Sequence, residues 1–120
     1  MMVAACETVS PEIRRRKKCG SALRRNTAKA LASAMGCTVL LTGAEDIVTD
    51  GERGWYIKGG SALMPLVTGT GCMLSVLCGA FAAVEPNAFD AALMASVFWK
   101  ACSERAEHVW RQALLRSRAF

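Results

Sequence analysis

Val67-Thr68-Gly69-Thr70-Gly71-Cys72, continued without a charge by MLSVLCGAFAAV to Val84, is the stretch on which the fold of this chain turns. Gly69 and Gly71 let the backbone adopt left-handed dihedrals and approach a ligand closely. Beyond Cys72 the apolar residues fall on every side: Met73, Leu74, Val76, Leu77, Cys78, Phe81 and Val84. The pattern predicts a turn leading into an interior helix that runs to Val84. The first N–H groups of a helix have no intrahelical partner, and they sit at the positive end of its dipole. Gly69, Thr70 and Gly71 are therefore a candidate anion hole, suited to a phosphate passing from donor to acceptor. A tight turn into a helix accounts for Gly-Thr-Gly equally well. Cys72 sharpens the choice, because the first turn of a helix lowers a thiol's pKa. The alternative, a small buried apolar residue, suits Cys37, Cys78 and Cys102 better.

Upstream, Trp55-Tyr56-Ile57 and Ile47-Val48-Thr49 read as short strands joined through Asp50-Gly51 and Gly54. Asp-Gly between apolar runs is a strong hairpin signal, so the two strands are expected to be antiparallel neighbours. Cys37 to Leu41 reads as a buried strand in an α/β sheet. Thr27 to Met35 is rich in helix formers, with Ala30, Leu31 and Ala34 on one face, and Gly36 suits its C-terminus. Downstream, Glu85-Pro86 stops the apolar helix. Asn87 is placed to cap the next one, with Asp90 in its first turn. Phe89, Leu93 and Val97 are expected to be its buried stripe, and Lys100 and Glu104 an exposed pair four residues apart. The order is helix, buried strand, β-hairpin, Gly-rich anion loop and two C-terminal helices. This is an α/β arrangement with about three strands.

The 120 residues are 52% hydrophobic and 21% charged, as in a globular domain rather than a disordered chain. The net charge of +5 resides in the ends. Residues 1–26 carry seven basic and two acidic side chains, residues 107–120 three and one, and residues 27–106 five and seven. The acidic middle argues against a nucleic-acid-binding core. The run Arg14-Arg15-Arg16-Lys17-Lys18 has no interleaved aromatic residues and reads as a solvated, poorly ordered or helical end. Ser61 to Val84 holds no charge, but Pro65, Gly69 and Gly71 break it, and the apolar run from Cys72 is too short to span a bilayer. The six cysteines form no C-x-x-C and the only histidine is His108, so no zinc site is expected. With no secretory leader in MMVAACETVS, the thiols read as reduced, as in a cytoplasmic protein.

LLTGAEDIVTDG at residues 40–51, Gly59-Gly60, Leu63-Met64 and VTGTGC at residues 67–72 together resemble a run in hydroxyethylthiazole kinases. The order and spacing of the segments are more specific than any one of them. The resemblance covers residues 27–106, the C-terminal half of a ribokinase-like kinase domain, and implies a partial ribokinase-like fold. It implies ATP-dependent phosphorylation of the primary alcohol of 4-methyl-5-(2-hydroxyethyl)thiazole in thiamine salvage, with Mg²⁺ and a homotrimer whose sites lie between subunits. It makes Thr42 the ATP-contacting residue at a strand end and Gly69 a substrate contact. Gly69 to Cys72 become the anion hole, and Cys72 the catalytic residue beside the reacting hydroxyl, where most ribokinase-like kinases place Asp. No metal ligand falls in this chain by that resemblance. Asp46 and Asp50, the carboxylates available for Mg²⁺, read instead as a strand edge and a hairpin turn.

Residues 1–26 and 107–120 are expected to lie outside that resemblance, the family's Gly-Pro-Gly-Ser-Phe segment being replaced after Ala106 by EHVWRQALLRSRAF. They read as a basic N-terminal extension and a basic tail, such as a truncated or frame-displaced gene would append. The thiazole pocket, a nucleotide-binding Arg and the acidic Mg²⁺ ligands belong to the family's N-terminal half, so the chain alone is expected to be a poor kinase prone to self-association. The rival expectations are a non-catalytic piece of such a kinase and another ribokinase-like small-alcohol kinase. Cys72 in place of Asp speaks against the second. A small basic binding protein is favoured only by the ends.

Overall fold

The computed structural model describes residues 2–6 and 17–117. Its elements are β1 (Met2–Cys6), α1 (Lys17–Met35), β2 (Thr38–Thr42), β3 (Asp46–Thr49), β4 (Gly54–Ile57), α2 (Thr70–Val84) and α3 (Ala88–Ser117). The four strands form one sheet in the order β1-β2-β3-β4. β1 lies parallel to β2, and β2, β3 and β4 are antiparallel neighbours. The expected hairpin is present, but the expectation of about three strands falls one short. The missing strand comes from residues 2–6, inside the segment read as a solvated end. Its five residues alone carry too little pattern to be distinguished from an apolar terminus. Of the basic run, Lys17 and Lys18 begin α1, and Arg14 to Arg16 lie outside the described residues.

The sheet is covered on both faces, and the period of two along its strands sorts the side chains. Val39 and Ile47 pack with Ala28, Ala32 and Cys37 beneath α1. Their neighbours Leu40 and Val48 pack on the opposite face with Ile57, Leu74, Cys78, Phe89, Ala92 and Ala95, from α2 and α3. Ala91, Ala92 and Ala95 are wholly buried, since small side chains let α3 lie close against the strands. Burying the Leu40 side chain alone stabilises the fold by roughly 1.5–3 kcal/mol.

Asn87 caps α3 as expected: its Oδ1 accepts from Phe89 N at 3.0 Å and Asp90 N at 3.4 Å. Two other expectations for the helices are corrected. α2 is not interior: Leu74 and Cys78 are buried, whereas Met73, Val76 and Val84 are exposed. The expected stripe of α3 holds at Phe89 and in part at Leu93, but not at Val97, which is half exposed. The buried face runs instead through Phe89, Ala92, Ala95, Ser96 and Lys100, chosen by which face meets the sheet rather than by side-chain size. Among the described residues no helix is long and apolar enough to cross a membrane.

Candidate active site

Four strand ends share one end of the sheet, with Cys6 of β1 beside Thr42 of β2. β2 finishes at Thr42, β3 starts at Asp46 opposite Ile57, and β4 finishes at Ile57. Segment 58–69 leaves from that end and delivers the chain to α2. Gly69 sits at the helix N-cap with φ 89° and ψ 1°, the left-handed region. A Cβ there would meet nothing within 4 Å, so it is the dihedral and not the space that calls for glycine. The first intrahelical bond is Met73 N to Gly69 O at 3.0 Å. The N–H groups of Thr70, Gly71 and Cys72 precede it and have no acceptor within the helix. Cys72 stands in that first turn and is exposed, unlike Cys37 and Cys78. Burial pushes the Cys78 thiol up, and the charge of Asp46 adds to this, so Cys78 is an inert core residue.

Thr42 closes β2, and its carbonyl accepts from Arg24 Nη2 at 3.2 Å. The same guanidinium donates to Glu45 O from Nη1 and Nη2, each at 3.3 Å. Arg24, from α1, thus braces the turn that leaves Thr42. Gly43 lies under that guanidinium, and a Cβ there would stand 2.5 Å from Arg24 Nη2. Arg24 lies in the segment read as a solvated end. A basic run hides it, and nothing local distinguishes it from its neighbours.

The loop before α2 is tied to α3. Lys100 Nζ donates to Gly59 O at 3.2 Å, Gly60 N donates to Glu104 Oε1 at 2.7 Å, and Ser61 N donates to Ser103 Oγ at 2.9 Å. Ser61 Oγ donates to Glu107 Oε2 at 2.6 Å. That bond, and then the one from Arg111, hold the Glu107 carboxyl below its ordinary range. Lys100 and Glu104, expected as an exposed pair, therefore both hold the loop. Lys100 is buried and lies 3.6 Å from Asp46 Oδ1. Its place four residues beyond buried Ser96 was the available signal, a polar break in an alanine-rich face.

Asp46 is committed to the fold as well. Its Oδ1 accepts from Gly43 N at 3.0 Å and its Oδ2 from Ser96 Oγ at 2.6 Å. Asp50 caps the hairpin, accepting from Glu52 N, Arg53 N and Arg53 Nε. Desolvation would raise its pKa, but these bonds outweigh it and hold the carboxyl below its ordinary value. Among the described residues no group of three or more His, Cys, Asp or Glu side chains could hold a metal. The two carboxylates are already satisfied by protein donors, so these residues do not fit the Mg²⁺ that the resemblance implies. Two surface grooves run along the outer half of α3, one by His108 and Gln112, the other by Trp110 and Leu114. Neither includes a residue of the first turn of α2.

The result is a three-layer α/β fold in which a left-handed Gly69 starts α2. The model of the hydroxyethylthiazole kinase family matches residues 16–114, and the chain belongs to that family. It is 40% identical over 88 residues to the hydroxyethylthiazole kinase of Listeria monocytogenes serotype 4a (strain HCC23), covering 73% of this chain and 33% of that protein. It is 48% identical over 80 residues to that of Haemophilus influenzae (strain PittEE), covering 66% and 30%. The structure of the hydroxyethylthiazole kinase protein from Pyrococcus horikoshii OT3 matches with a TM-score of 0.60 and 37% identity, over 66% of this chain and 31% of that one. Bacillus subtilis YxkO matches with a TM-score of 0.65 at 22% identity, over 86% and 39%, and shares the fold alone. The chain spans about a third of the length of the curated relatives it matches.

Proposed function

We propose that this chain supplies the phosphate-binding part of a hydroxyethylthiazole kinase. The reaction is ATP-dependent phosphorylation of the primary alcohol of 4-methyl-5-(2-hydroxyethyl)thiazole, in thiamine salvage. The observation that carries this is the left-handed Gly69 entering α2 with Cys72 exposed in its first turn. Phosphoryl transfer asks mainly for positioning and for neutralisation of charge on the transferred group. The N–H groups of Thr70, Gly71 and Cys72 supply the second, aided by the helix dipole. The alcohol oxygen attacks the γ-phosphorus, the bond to the leaving ADP breaks, and the alcohol proton passes to the Cys72 sulfur. Thr42 contacts the nucleotide, and Gly69 lies against the thiazole alcohol. Arg24 braces the turn after Thr42, and Lys100 and Glu104 hold Gly59 and Gly60 at the start of the segment that leads to Gly69. Mg²⁺, a homotrimeric assembly and a cytoplasmic location complete the proposal. The magnesium carboxylates come from outside the described residues.

The test places residues 42–106 in the corresponding part of the Listeria monocytogenes relative and measures phosphate transfer from ATP to the thiazole alcohol. Turnover is expected in this chimera. Cys72→Asp should keep substantial kcat, since a carboxylate can also accept the proton. Cys72→Ala should lose about 10²–10⁴-fold in kcat with little change in ATP affinity. Phosphate trapped on Cys72, with the Asp and Ala variants equally inactive, would replace proton acceptance by a covalent route.

A second reading, a non-catalytic piece of such a kinase, is favoured by the exposed Met73, Val76 and Val84 on α2. ATP binding by the chain without turnover in the chimera would select it.

A further inference from the structure

The two antiparallel turns of the sheet are held in different ways. The turn from β3 to β4 is closed locally: Asp50 accepts from Glu52 N, Arg53 N and Arg53 Nε at the surface. The turn from β2 to β3, residues 43–45, lies at the other end of β3. The pairing of Leu41 with Ile47 already reverses the chain there. Side chains from distant helices nevertheless reach it. Arg24 of α1 donates to the carbonyls of Thr42 and Glu45. Asp46 accepts from Gly43 N at 3.0 Å and is itself fixed from α3. Ser96 Oγ donates to its Oδ2 at 2.6 Å, and Lys100 Nζ lies 3.6 Å from its Oδ1. Asp46, Ser96 and Lys100 are buried, whereas Thr42 and Gly43 are partly open to solvent.

A buried ion pair often contributes no net stability over apolar side chains of the same volume, because desolvation offsets the attraction. Stability alone therefore does not account for this network, whereas a fixed position for the turn does. We propose that Asp46 is a positioning residue for nucleotide binding. Held by Ser96 and Lys100, its carboxylate sets the Gly43 amide and, through it, the place at which Thr42 meets ATP. The proposal rests on the reading of Thr42 as the nucleotide contact. Because both anchors of Asp46 stand on α3, the nucleotide turn is keyed to the helix that also holds Gly59 and Gly60. Arg24 completes the grip: a Cβ at Gly43 would stand 2.5 Å from its Nη2, so a side chain there displaces the guanidinium.

NMR titration of the isotope-labelled full chain with ATP, followed at the Thr42 and Gly43 amides, tests it. Far-UV circular dichroism and urea unfolding of each variant check the fold. In Asp46→Ala the Gly43 N–H loses its acceptor, and the Kd for ATP is expected to rise about tenfold. Ser96→Ala, a mild change beside Ala92 and Ala95, removes one anchor of Asp46 and should raise it about threefold. Asp46→Asn keeps an acceptor for Gly43 but no charge for Lys100. It should lose stability while its Kd stays within about twofold, a split that a purely structural role would not produce. Asp50→Asn, at the other turn, should leave the Kd unchanged. An unchanged Kd in folded Asp46→Ala and Ser96→Ala would overturn the proposal and leave the Thr42 reading standing. So would a Kd that follows stability, with Asp46→Asn as weak as Asp46→Ala. ATP that shifts neither amide in the unsubstituted chain would remove the Thr42 reading and this proposal together.

Discussion

The uncharged helix α2 and the charged side chain Lys100 have exchanged the places that their polarity suggests. α2 carries no charge, yet only Leu74 and Cys78 of it are buried. Lys100 is a cation, yet its side chain is 8% exposed. Polarity states what a group gains from burial. Whether it is buried depends on what stands opposite. Lys100 is opposite Asp46 and the Gly59 carbonyl, which replace part of its hydration. The outer face of α2 has nothing opposite it among the described residues.

The largest expected effect breaks the buried half of that comparison. Lys100→Met leaves the buried Asp46 charge with the Gly43 and Ser96 donors but no cation opposite it, and loss of one partner of a buried pair costs about 3–5 kcal/mol. Val76→Ala on the open face of α2 should change stability by no more than about 0.5 kcal/mol. Urea unfolding of both variants checks the contrast. Equal losses would mean that the α2 face is covered and that the buried pair is not holding the fold.

A smaller effect sharpens the comparison within α2. Gly69 and Gly79 both have open space where a Cβ would stand. Gly69 has φ 89°, whereas Gly79 lies within the helix and is not among the positive-φ glycines. Gly69→Ala should destabilise by about 1–2 kcal/mol through the left-handed dihedral. Gly79→Ala should stabilise by about 0.5–1 kcal/mol through helix propensity. Thermal melts of the two variants should shift in opposite directions.

The smallest effect concerns an ion pair that water reaches. Asp50 and Arg53 lie 2.8 Å apart at the exposed hairpin. The folded-state pKa of Asp50 is depressed, so its contribution is present above its unfolded pKa and is lost as pH falls through the folded value. Stability should therefore decline on acidification below the ordinary carboxylate pKa, and Asp50→Asn should flatten the decline slightly. Denaturation midpoints against pH, with and without the substitution, measure it. A decline as steep in Asp50→Asn would assign it to other carboxylates.

Much of the fold was legible because it is local. Asp50 forms the hairpin with donors two and three residues away, and Asn87 caps α3 with donors equally near. Gly69 turns the chain by its own dihedral. Strand β1 was not legible, because five residues acquire their meaning only by pairing with β2. The stripe of α3 was misplaced because large residues were preferred. The sheet instead selected Ala91, Ala92 and Ala95, whose small side chains permit close approach.

By itself the sequence determined the hairpin, the glycine turn, the helix caps and Cys72 in the first turn of an apolar helix. Each depends on dihedrals and hydrogen bonds within a few residues. Only the tertiary structure decided that Arg24 braces the turn after Thr42 and that Ser96 and Lys100 hold Asp46. It alone decided that Glu104 ties down Gly60 and which face of each helix is covered. The partners in those contacts lie 18 to 54 residues apart. No local preference encodes them; they form when the sheet and its two layers of helices bring distant segments together.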